Sequence, residues 1–393
     1  MANIYISPLS RPLKIAVFVW DFVTTGGAER YACEVTKRLA EHHDVHVFCQ
    51  SWDSEISNKI TFHKIPRPIK KPSWINQLFF SFFTKLAVDD SFDIIHTHDR
   101  VSRFDILTIH CPCYKGFITE KETLLRKIIT WISVIISPRS LAYLWIEKKQ
   151  FTYTRKKKLI SVSKSVQEDV IRNYFLPEKI FSLAYPGVDV ESIKKNIAKA
   201  DITFLRKKLN LKEDNLVLLF VGTEFKRKGL DNLLDAVARC SYPDIRLLVA
   251  GGGDSCIYER KIMKKGIAGQ VTFLGLVKDI FPYYGIADIF ILPTLSDPCP
   301  MSPVEAMASG VATIMSVTPY CGTAEHITQG EAILLNDPRD TEELSEAIMR
   351  LADPEIRKVI SEKGRKLATS ISWEQTTKKT FDAYCSLLEQ RDM

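Results

Sequence analysis

Short, continuous apolar runs alternate with helical patterns along this chain, and the alternation occurs twice. The runs of the first half lie at residues 14–20, 45–49, 92–96, 106–110 and 158–162. Those of the second half lie at 216–221, 245–250, 271–274, 289–292, 311–314 and 332–335. An apolar run of this length is typical of a parallel strand that is buried on both faces of its sheet. The alternation therefore predicts two doubly wound α/β domains.

The chain of 393 residues is too long for one ordinary domain. The alternation pauses near Tyr185, Pro186 and Gly187, and a polar, lysine-rich stretch follows at 189–214. We therefore predict a first domain at 1–187 and a second domain at 188–371. The remaining residues, 372–393, are predicted to form a helix that packs back on the first domain.

Composition argues against several classes of protein. A hydrophobic content of 46% is typical of a chain with packed cores, and a disordered or fibrous chain would have less. The sequence has no run of about 18 apolar residues, so no membrane-spanning helix is predicted. The first 19 residues lack the basic lead-in and the cleavage site of a secretion signal. The nine cysteines have no regular spacing, so reduced thiols and a cytoplasmic location are expected.

The net charge of +7 lies entirely in the first half. Residues 1–187 carry 27 Lys and Arg against 18 Asp and Glu, whereas the remainder carries 27 against 29. A basic half indicates a polyanionic partner, although ordinary surface variation is the alternative. A nucleic acid is not expected as a partner, because the aromatic residues cluster in apolar stretches and do not form an exposed stacking pattern.

Ligands of parallel sheets bind beyond the carboxyl ends of the strands, so the loops there are candidates for chemistry. Gly26 and Gly27 join the first predicted strand to its helix, where glycines let the backbone approach a ligand and the helix N-terminus favours an anion. The spacing differs from G-x-G-x-x-G, so no nicotinamide cofactor is expected. A tight turn without a ligand is the alternative.

Three consecutive cations, Lys226, Arg227 and Lys228, precede a predicted helix in the second half. Packed together at a strand end, these side chains would repel each other unless an anion is present. Two cations beside a helix N-terminus suit a diphosphate. A solvated charge cluster is the alternative.

A third loop contains Asp297, and Glu305 follows eight positions later in the first turn of a predicted helix. Carboxylates at these places can accept hydrogen bonds from sugar hydroxyls, and the backbone amides of Met301 and Ser302 are expected to point toward the ligand. A charge that only stabilises the helix dipole is the alternative for Glu305.

Histidines end two predicted strands of the first half, His96 and His98 after one and His110 after the next. Each can donate to a hydroxyl or phosphate group, but a purely structural histidine is an equal alternative. Cys111 and Cys113 lie beside His110, yet no second Cys/His pair completes four ligands, so no metal site is predicted.

Taken together, these segments resemble the family 4 glycosyltransferases, which have the GT-B fold. The resemblance covers nearly the whole chain and is carried by GGAER at 26–30, PGVD at 186–189, RKG at 227–229, LVAGGG at 248–253, FLG at 273–275 and the stretch 297–310 that ends in EAMASG. Within the family, GGAER and QSW at 50–52 are most similar to bacterial lipopolysaccharide-core glucosyltransferases.

The resemblance implies two Rossmann-like domains that face each other across a cleft, the first binding the acceptor and the second the nucleotide sugar. It implies retaining, metal-independent transfer of a hexose from a nucleoside diphosphate sugar, UDP-linked by analogy, to a glycan or lipid-linked acceptor of cell-surface polysaccharide synthesis. No cofactor is implied.

Site residues also follow from the resemblance. Catalytic roles fall on His110, Asp297, Arg227 and Lys228, with Arg227 and Lys228 at the diphosphate and His110 facing the donor sugar. Glu305 matches the acid that holds the ribose, Val277 the backbone contact to the base, and Gly27 the loop at the diphosphate. The donor-binding set is Gly26, Gly27, Thr223, Arg227, Lys228, Val277, Met301, Ser302 and Glu305.

The chain departs from the family pattern at two positions. Thr223 stands where an arginine is common, and Asp297 replaces a glutamate. The departures indicate a different donor or a reduced activity. Two further alternatives therefore stay open, a nucleotide-sugar epimerase of the same fold and a non-catalytic scaffold that binds nucleotide sugar or lipid.

Aromatic and basic residues also predict a membrane-facing surface on the first domain. Residues 74–86 and 128–146 are rich in aromatic and aliphatic side chains, and Phe79, Phe80, Phe82 and Phe83 fall on one broad helix face. The basic neighbours are Lys70, Lys71, Lys115, Lys121, Arg126, Lys127, Lys148, Lys149 and the run 155–158. Such a surface suits the headgroup layer of an anionic membrane, so the inner face of the cytoplasmic membrane is a predicted partner. Packing against the first sheet is the alternative.

Overall fold

The computed structural model describes residues 8–53, 58–69, 71–119, 124–154, 156–242 and 244–392. It divides into two compact units. One contains the chain up to Pro186 together with the chain from Trp373 onward, and the other contains Gly187–Ser372.

Parallel pairing builds the sheet of the first unit. Its described strands are β1 Lys14–Phe18, β2 Asp21–Phe22, β3 Asp44–Cys49, β4 Ser51–Trp52, β5 Ile60–Lys64, β6 Ile94–Thr97, β7 Ile106–Ile109, β8 Lys158–Ser161 and β9 Phe181–Leu183. Seven of them form one parallel sheet in the order β5-β3-β1-β6-β7-β8-β9, while β2 and β4 pair separately. The helices are α1 Gly27–Leu39, α2 Ser73–Ala87, α3 Tyr114–Thr119, α4 Leu124–Ile136, α5 Pro138–Gln150 and α6 Lys164–Tyr174.

The second unit has the same plan. Its described strands are β10 Leu216–Val221, β11 Ile245–Ala250, β12 Val271–Gly275, β13 Ile289–Leu292, β14 Ala312–Ser316 and β15 Ile333–Leu335, in the parallel order β12-β11-β10-β13-β14-β15. The helices are α7 Val190–Lys199, α8 Ile202–Lys208, α9 Leu230–Arg239, α10 Ser255–Lys264, α11 Phe281–Ile286, α12 Ser302–Ala308, α13 Thr341–Ala352 and α14 Pro354–Ser370. The last helix, α15 Trp373–Asp392, packs on α1, β8 and β9 of the first unit.

Each predicted apolar run overlaps a strand, which confirms the α/β fold class. The structure adds β5 and β9, which sequence reasoning missed because both are edge strands with partly exposed side chains. The polar stretch at 189–214, where the alternation pauses, contains helices. Asp189 caps α7 by accepting a hydrogen bond from the Ser192 amide, and Asp201 caps α8 by accepting from the Phe204 amide.

The central strands of the second unit are almost completely buried, and the loop that follows β10 packs directly on the end of β13. Gly229, the residue before α9, has a positive φ of 81°. A Cβ atom at this position would lie 1.9 Å from the carbonyl oxygen of Pro293. Only glycine therefore allows the two loops to approach this closely.

We expect Gly229→Ala to destabilise the second unit more than Gly266→Ala does. Gly266 has a similar φ of 71° but open space around the missing Cβ, so both variants incur the same kind of backbone cost. The additional clash at Gly229 should lower the free energy of unfolding by a further ~1–3 kcal/mol. Amide hydrogen exchange in β10 and β13 measures the difference, and equal effects of the two variants would contradict the packing argument.

Candidate functional site

The predicted site residues of the second unit follow the carboxyl ends of its parallel strands. Thr223 and the Arg227–Lys228 pair follow β10, Val277 follows β12, and Asp297 follows β13. Glu305 lies in the first turn of α12. Parallel strands bring these loops to one edge of the sheet although they are far apart in sequence.

A buried ion pair joins two of these loops. The Lys228 ammonium group contacts the Asp297 carboxylate, and their side chains are only 13% and 9% exposed. The Arg227 guanidinium lies 3.6 Å from the same carboxylate and donates to the Ser296 carbonyl at 2.5 Å. Because both charges are largely removed from water, each depends on the other for compensation.

Backbone hydrogen bonds join the loop of Asp297 to the loop after β10 and to the loop after β14. The Leu295 amide donates to the Arg227 carbonyl at 2.8 Å. The Asp297 amide donates to the Tyr320 carbonyl at 2.7 Å, and the Gly322 amide donates to the Asp297 carbonyl at 3.0 Å. Both the amide and the carbonyl group of Asp297 are therefore hydrogen-bonded, and these bonds fix the backbone position from which its carboxylate extends.

The sequence argument about the cations did not include the protein's own carboxylates. Lys226, Arg227 and Lys228 were expected to repel each other unless a bound anion is present. Instead, Asp297 compensates Lys228, and Glu224 forms an ion pair with Arg227. The protein's own carboxylates thus compensate two of the three cations.

Glu305 is buried and accepts a hydrogen bond from a residue that sequence reasoning missed. The Tyr284 hydroxyl donates to Glu305 Oε2 at 3.2 Å. Met301 is the N-cap residue of α12 and Ser302 is its first residue, and both are half-buried. Thr223 is exposed and Val277 is half-buried in the loop after β12. A tyrosine within an apolar pattern is typical of a core residue, so nothing in the sequence indicated that Tyr284 contacts the site.

In the first unit, the predicted residue His110 belongs to a histidine pair. His110 Nε2 lies 3.0 Å from His98 Nδ1, and Tyr31 packs its ring edge against His110 at 5.1 Å between ring centres. Burial lowers the pKa of His110 to about 3 and puts the pKa of His98 well below its usual value. Both rings are therefore neutral at pH 7 and can each donate one hydrogen bond.

A cavity of about 200 Å³ opens beside this pair. Its polar lining includes His98, Asp99, Arg100, His110, Glu147 and Gln150. Burial raises the pKa of Asp99 to about 6, and Asp99 accepts a hydrogen bond from the Trp20 amide at 2.6 Å. Within the described residues, His98 Nε2 is a buried atom without a hydrogen-bond partner. His98 Nε2 can therefore bond to a small polar ligand in the cavity, whereas the Glu147 carboxylate already accepts from the Tyr114 and Lys115 amides and the Tyr174 hydroxyl.

The remaining predicted residues of the first unit, Gly26, Gly27 and His96, do not line this cavity. Gly26 is the N-cap residue of α1 with a φ of 100°, and Gly27 is the first residue of α1. The next residue, Ala28, lines the cavity. His96, by contrast, is fully committed, with Nδ1 2.7 Å from the Tyr384 hydroxyl and Nε2 2.7 Å from Thr108 Oγ1. His96 is a structural residue.

Metal ligation has no candidate in the described part of the chain, because no group of three His, Cys, Asp or Glu residues there could hold an ion. Cys113 is instead a buried thiol whose Sγ accepts from the Gly116 amide at 3.3 Å.

Large apolar side chains are exposed on α2, α4 and α5, and we call this set the apolar surface. Its members are Phe79, Phe82, Leu86, Ile128, Ile129, Trp131, Ile132, Ile135, Ile136, Leu141 and Trp145. Phe80 was predicted to share this face but is buried and stacks on Trp20. The side chains of Lys70, Lys121, Arg126, Lys127 and Arg155, also predicted here, lie outside the described residues.

No single described helix has the length and apolar character to cross a membrane. The pair Ile128–Ile136 and Pro138–Gln150 meets the length and composition test together, with a bend of 96° between its members.

Comparison with known proteins identifies the family to which the chain is similar. Residues 25–192 match the family model described as Glycosyltransferase Family 4, and residues 201–367 match the model described as Glycosyl transferases group 1. Between them, the two matches span most of the chain.

Curated relatives align over nearly their full length. An uncharacterized glycosyltransferase of Methanocaldococcus jannaschii is 24% identical and aligns over 96% of this chain and 99% of its own. The lipopolysaccharide glucosyltransferase WaaG of Escherichia coli is 21% identical, with 90% and 94% covered.

Solved structures share the fold. The crystal structure of WaaG superposes with a TM-score of 0.80 at 19% identity and covers 94% of this chain and 98% of its own. The Anabaena protein Alr3699/HepE in complex with UDP-glucose gives a TM-score of 0.71 at 18% identity, with 95% and 99% covered.

The buried histidines predict a loss of stability in acid. Burial lowers the pKa of His96 to about 3, whereas an unfolded histidine titrates near 6.5. The unfolded state therefore binds more protons at pH 3–6.5, and the stability that is full above pH 6.5 is lost as the pH falls through that window. We expect His96→Gln to reduce the loss between pH 7 and pH 5 by about 2 kcal/mol.

Amide hydrogen exchange in β6 and β7 at both pH values measures this difference. The exposed Leu86 provides the control, because Leu86→Gln removes and adds no titrating group and should leave the pH dependence as it is in the unaltered protein. An unchanged slope in His96→Gln would show that His96 does not contribute to the acid sensitivity.

Proposed function

This chain belongs to the glycosyltransferases of the GT-B fold, and from that premise we propose that it transfers a hexose, with retention and without a metal ion, from a nucleoside diphosphate sugar. The proposed acceptor is a glycan or lipid-linked molecule of cell-surface polysaccharide synthesis, such as lipopolysaccharide. The observation that carries the proposal is the cluster of Arg227, Lys228 and Asp297 at the ends of β10 and β13.

The second unit is the proposed donor site. Arg227 and Lys228 bind the diphosphate, Glu305 binds the ribose hydroxyls, and the backbone at Val277 contacts the base. Thr223, Met301, Ser302 and the loop at Gly26 and Gly27 complete the proposed donor contacts. A UDP-linked donor is supported by the solved structures of HepE with UDP and with UDP-glucose.

The charges of the site suit a diphosphate that forms during the reaction. The partner of Arg227, Glu224, is 62% exposed, so this ion pair is weak and Arg227 can exchange it for a phosphate at small cost. Lys228 stays fixed by the buried Asp297 and needs little reorganisation. Cations positioned before the reaction stabilise negative charge as it develops on the leaving group.

The proposed reaction follows from this arrangement. The bond between the anomeric carbon and the diphosphate oxygen breaks, and the sugar acquires oxocarbenium character. The acceptor hydroxyl attacks from the same face and passes its proton to the leaving phosphate oxygen, which retains configuration without a protein nucleophile. Neutral His110 serves as a hydrogen-bond donor toward the donor sugar.

The donor assay is the first test. Nucleoside diphosphate release is measured for UDP-, GDP- and ADP-sugars with a chelator present and membrane extract as acceptor source. We expect release from one donor, and a decrease on the order of a hundredfold or more in Lys228→Ala because a preorganised charge is lost. Glu305→Ala should weaken donor binding.

Lys265→Ala is the matched control, because Lys265 also forms an ion pair, with Asp235, on the exposed face of the second unit. No release from any donor would contradict the transferase proposal and favour a scaffold that binds nucleotide sugar. A changed sugar nucleotide without an acceptor product would favour an epimerase.

We place the acceptor in the first unit. The cavity beside His98 and His110 has polar groups of both charges, which suits hydroxyl groups of a sugar. We propose that its volume of about 200 Å³ accommodates a single sugar residue and not a longer glycan.

We also propose that the first unit attaches to an anionic membrane on its cytoplasmic face. Helix α2 buries several polar side chains together with Phe80, while Phe79 and Phe82 are exposed. Its buried residues include Asn76, Gln77, Ser81 and Thr84. A helix that buries polar groups and exposes Phe79, Phe82 and Leu86 is unfavourable in water alone, since an exposed apolar patch of this kind marks an interaction site. A headgroup layer would cover these side chains, and Lys148 and Lys149 would contact its phosphates.

Vesicle flotation tests the attachment. The unaltered protein should float with phosphatidylglycerol vesicles and much less with neutral ones. Combined Ile132→Ser, Ile135→Ser and Ile136→Ser should reduce binding at least about tenfold, because buried apolar area is lost. The control is Phe204→Ser with Met263→Ser, which removes exposed apolar side chains from the second unit. Absence of binding to both vesicle types would refute the proposal.

A further inference from the structure

A buried tyrosine connects two short helices of the second unit at the proposed donor site. Tyr284 lies on α11, and its hydroxyl donates to Glu305 Oε2 on α12 at 3.2 Å. We infer that Tyr284 is a positioning residue, which sets the orientation of the Glu305 carboxylate that receives the donor's ribose. The inference rests on the proposed function, in which Glu305 binds the ribose hydroxyls.

The ring of Tyr284 has a fixed place in the core. The side chain is only 1% exposed and packs on Phe290 of β13, with 5.9 Å between ring centres. Phe281, one turn earlier on α11, lies 6.4 Å away. Because the ring is fixed by apolar packing, its hydroxyl is held at one point relative to β13 and α12.

Glu305 needs such a fixed partner. The last torsion of a glutamate side chain has a broad, roughly two-fold energy profile, so packing alone does not select the orientation of the carboxylate plane. Glu305 is buried, and a buried carboxylate requires hydrogen bonds to compensate for the loss of water. A bond from Tyr284 to Oε2 selects one orientation and thereby fixes where Oε1 lies.

The tyrosine hydroxyl has a second acceptor nearby. The Ser302 carbonyl oxygen, at the start of α12, lies 3.3 Å from it. The single hydroxyl proton can serve only one acceptor fully, and a charged carboxylate is the stronger of the two. Tyr284 therefore donates mainly to the Glu305 carboxylate.

The chemical consequence concerns the two ribose hydroxyls. A carboxylate with a fixed plane can accept hydrogen bonds from two neighbouring hydroxyls without first losing rotational freedom. Tyr284→Phe keeps the ring and its packing but releases the carboxylate plane. Binding of a nucleoside diphosphate with both hydroxyls should then weaken, whereas binding of the dideoxy analogue should not change.

The experiment measures two dissociation constants for each variant, with UDP and with 2′,3′-dideoxy-UDP as probes. If the donor assay selects another base, the corresponding diphosphates replace them. The selectivity is the ratio of the two constants. Tyr284→Phe is expected to lower the selectivity about tenfold, and Glu305→Ala should lower it at least as much. Adding Tyr284→Phe to Glu305→Ala should have no further effect, because the group that Tyr284 positions is absent.

Tyr258→Phe is the matched control. Tyr258 lies on α10, away from Glu305 in sequence. Its hydroxyl also donates to a carboxylate of the second unit, that of Asp231, at 3.1 Å. Its removal should leave the selectivity unchanged. A partial loss of folded protein would weaken both probes equally and would not alter the ratio, so a folding defect cannot mimic the expected result.

Two results would overturn the inference, and they differ in what else they overturn. If Tyr284→Phe keeps the original selectivity while Glu305→Ala abolishes it, Glu305 binds the ribose without help from Tyr284, and only the inference fails. If Glu305→Ala also keeps the selectivity, the ribose role of Glu305 fails together with the inference.

Discussion

Parallel strand pairing is the constraint on which the rest of the structure depends. Both main sheets consist of parallel pairs in the described residues, so every strand requires a crossover and all strands of a sheet end at the same edge. The loops after β10 and β13 therefore meet, although Lys228 and Asp297 are separated by almost seventy positions. Gly229 permits this meeting because no side chain stands between its loop and Pro293. The candidate site is a direct product of the topology.

The interior of that site departs from what stability alone would favour. A buried ion pair such as Lys228 with Asp297 gains little net stability, since desolvation of both charges offsets most of their attraction. An apolar pair of similar volume would often serve the fold equally well. The charges are therefore better explained by chemistry than by packing. The same reasoning applies to Glu305, whose buried carboxylate is supported by a hydroxyl from the core.

The sequence predicted the central strands and the chemical loops, but not the partners that position them. The runs at 216–221 and 245–250 coincide with β10 and β11 because central parallel strands are apolar on both faces. The edge strand Ile60–Lys64 escaped notice because its side chains are mostly exposed or half-buried. The cation cluster was found, yet its compensation by Asp297 depends on a long-range contact that spacing cannot reveal. Tyr284 could not be separated from ordinary core residues, because only its hydroxyl differs from them.

Exceptions to simple burial rules occur in both units, and they are of opposite kinds. The second unit buries charges at the ends of its strands, whereas the first unit exposes apolar side chains on α2, α4 and α5. Ordinary surface variation explains an isolated exposed leucine, but not a helix such as α2 that turns Gln77 and Thr84 inward while Phe82 faces out. Buried charge suits a polyanionic donor from water, and exposed apolar surface suits a lipid phase. The proposed transferase takes its donor from water and its acceptor from a membrane, and such an enzyme needs both kinds of exception. This is the physical reason for which we propose a lipid-linked acceptor.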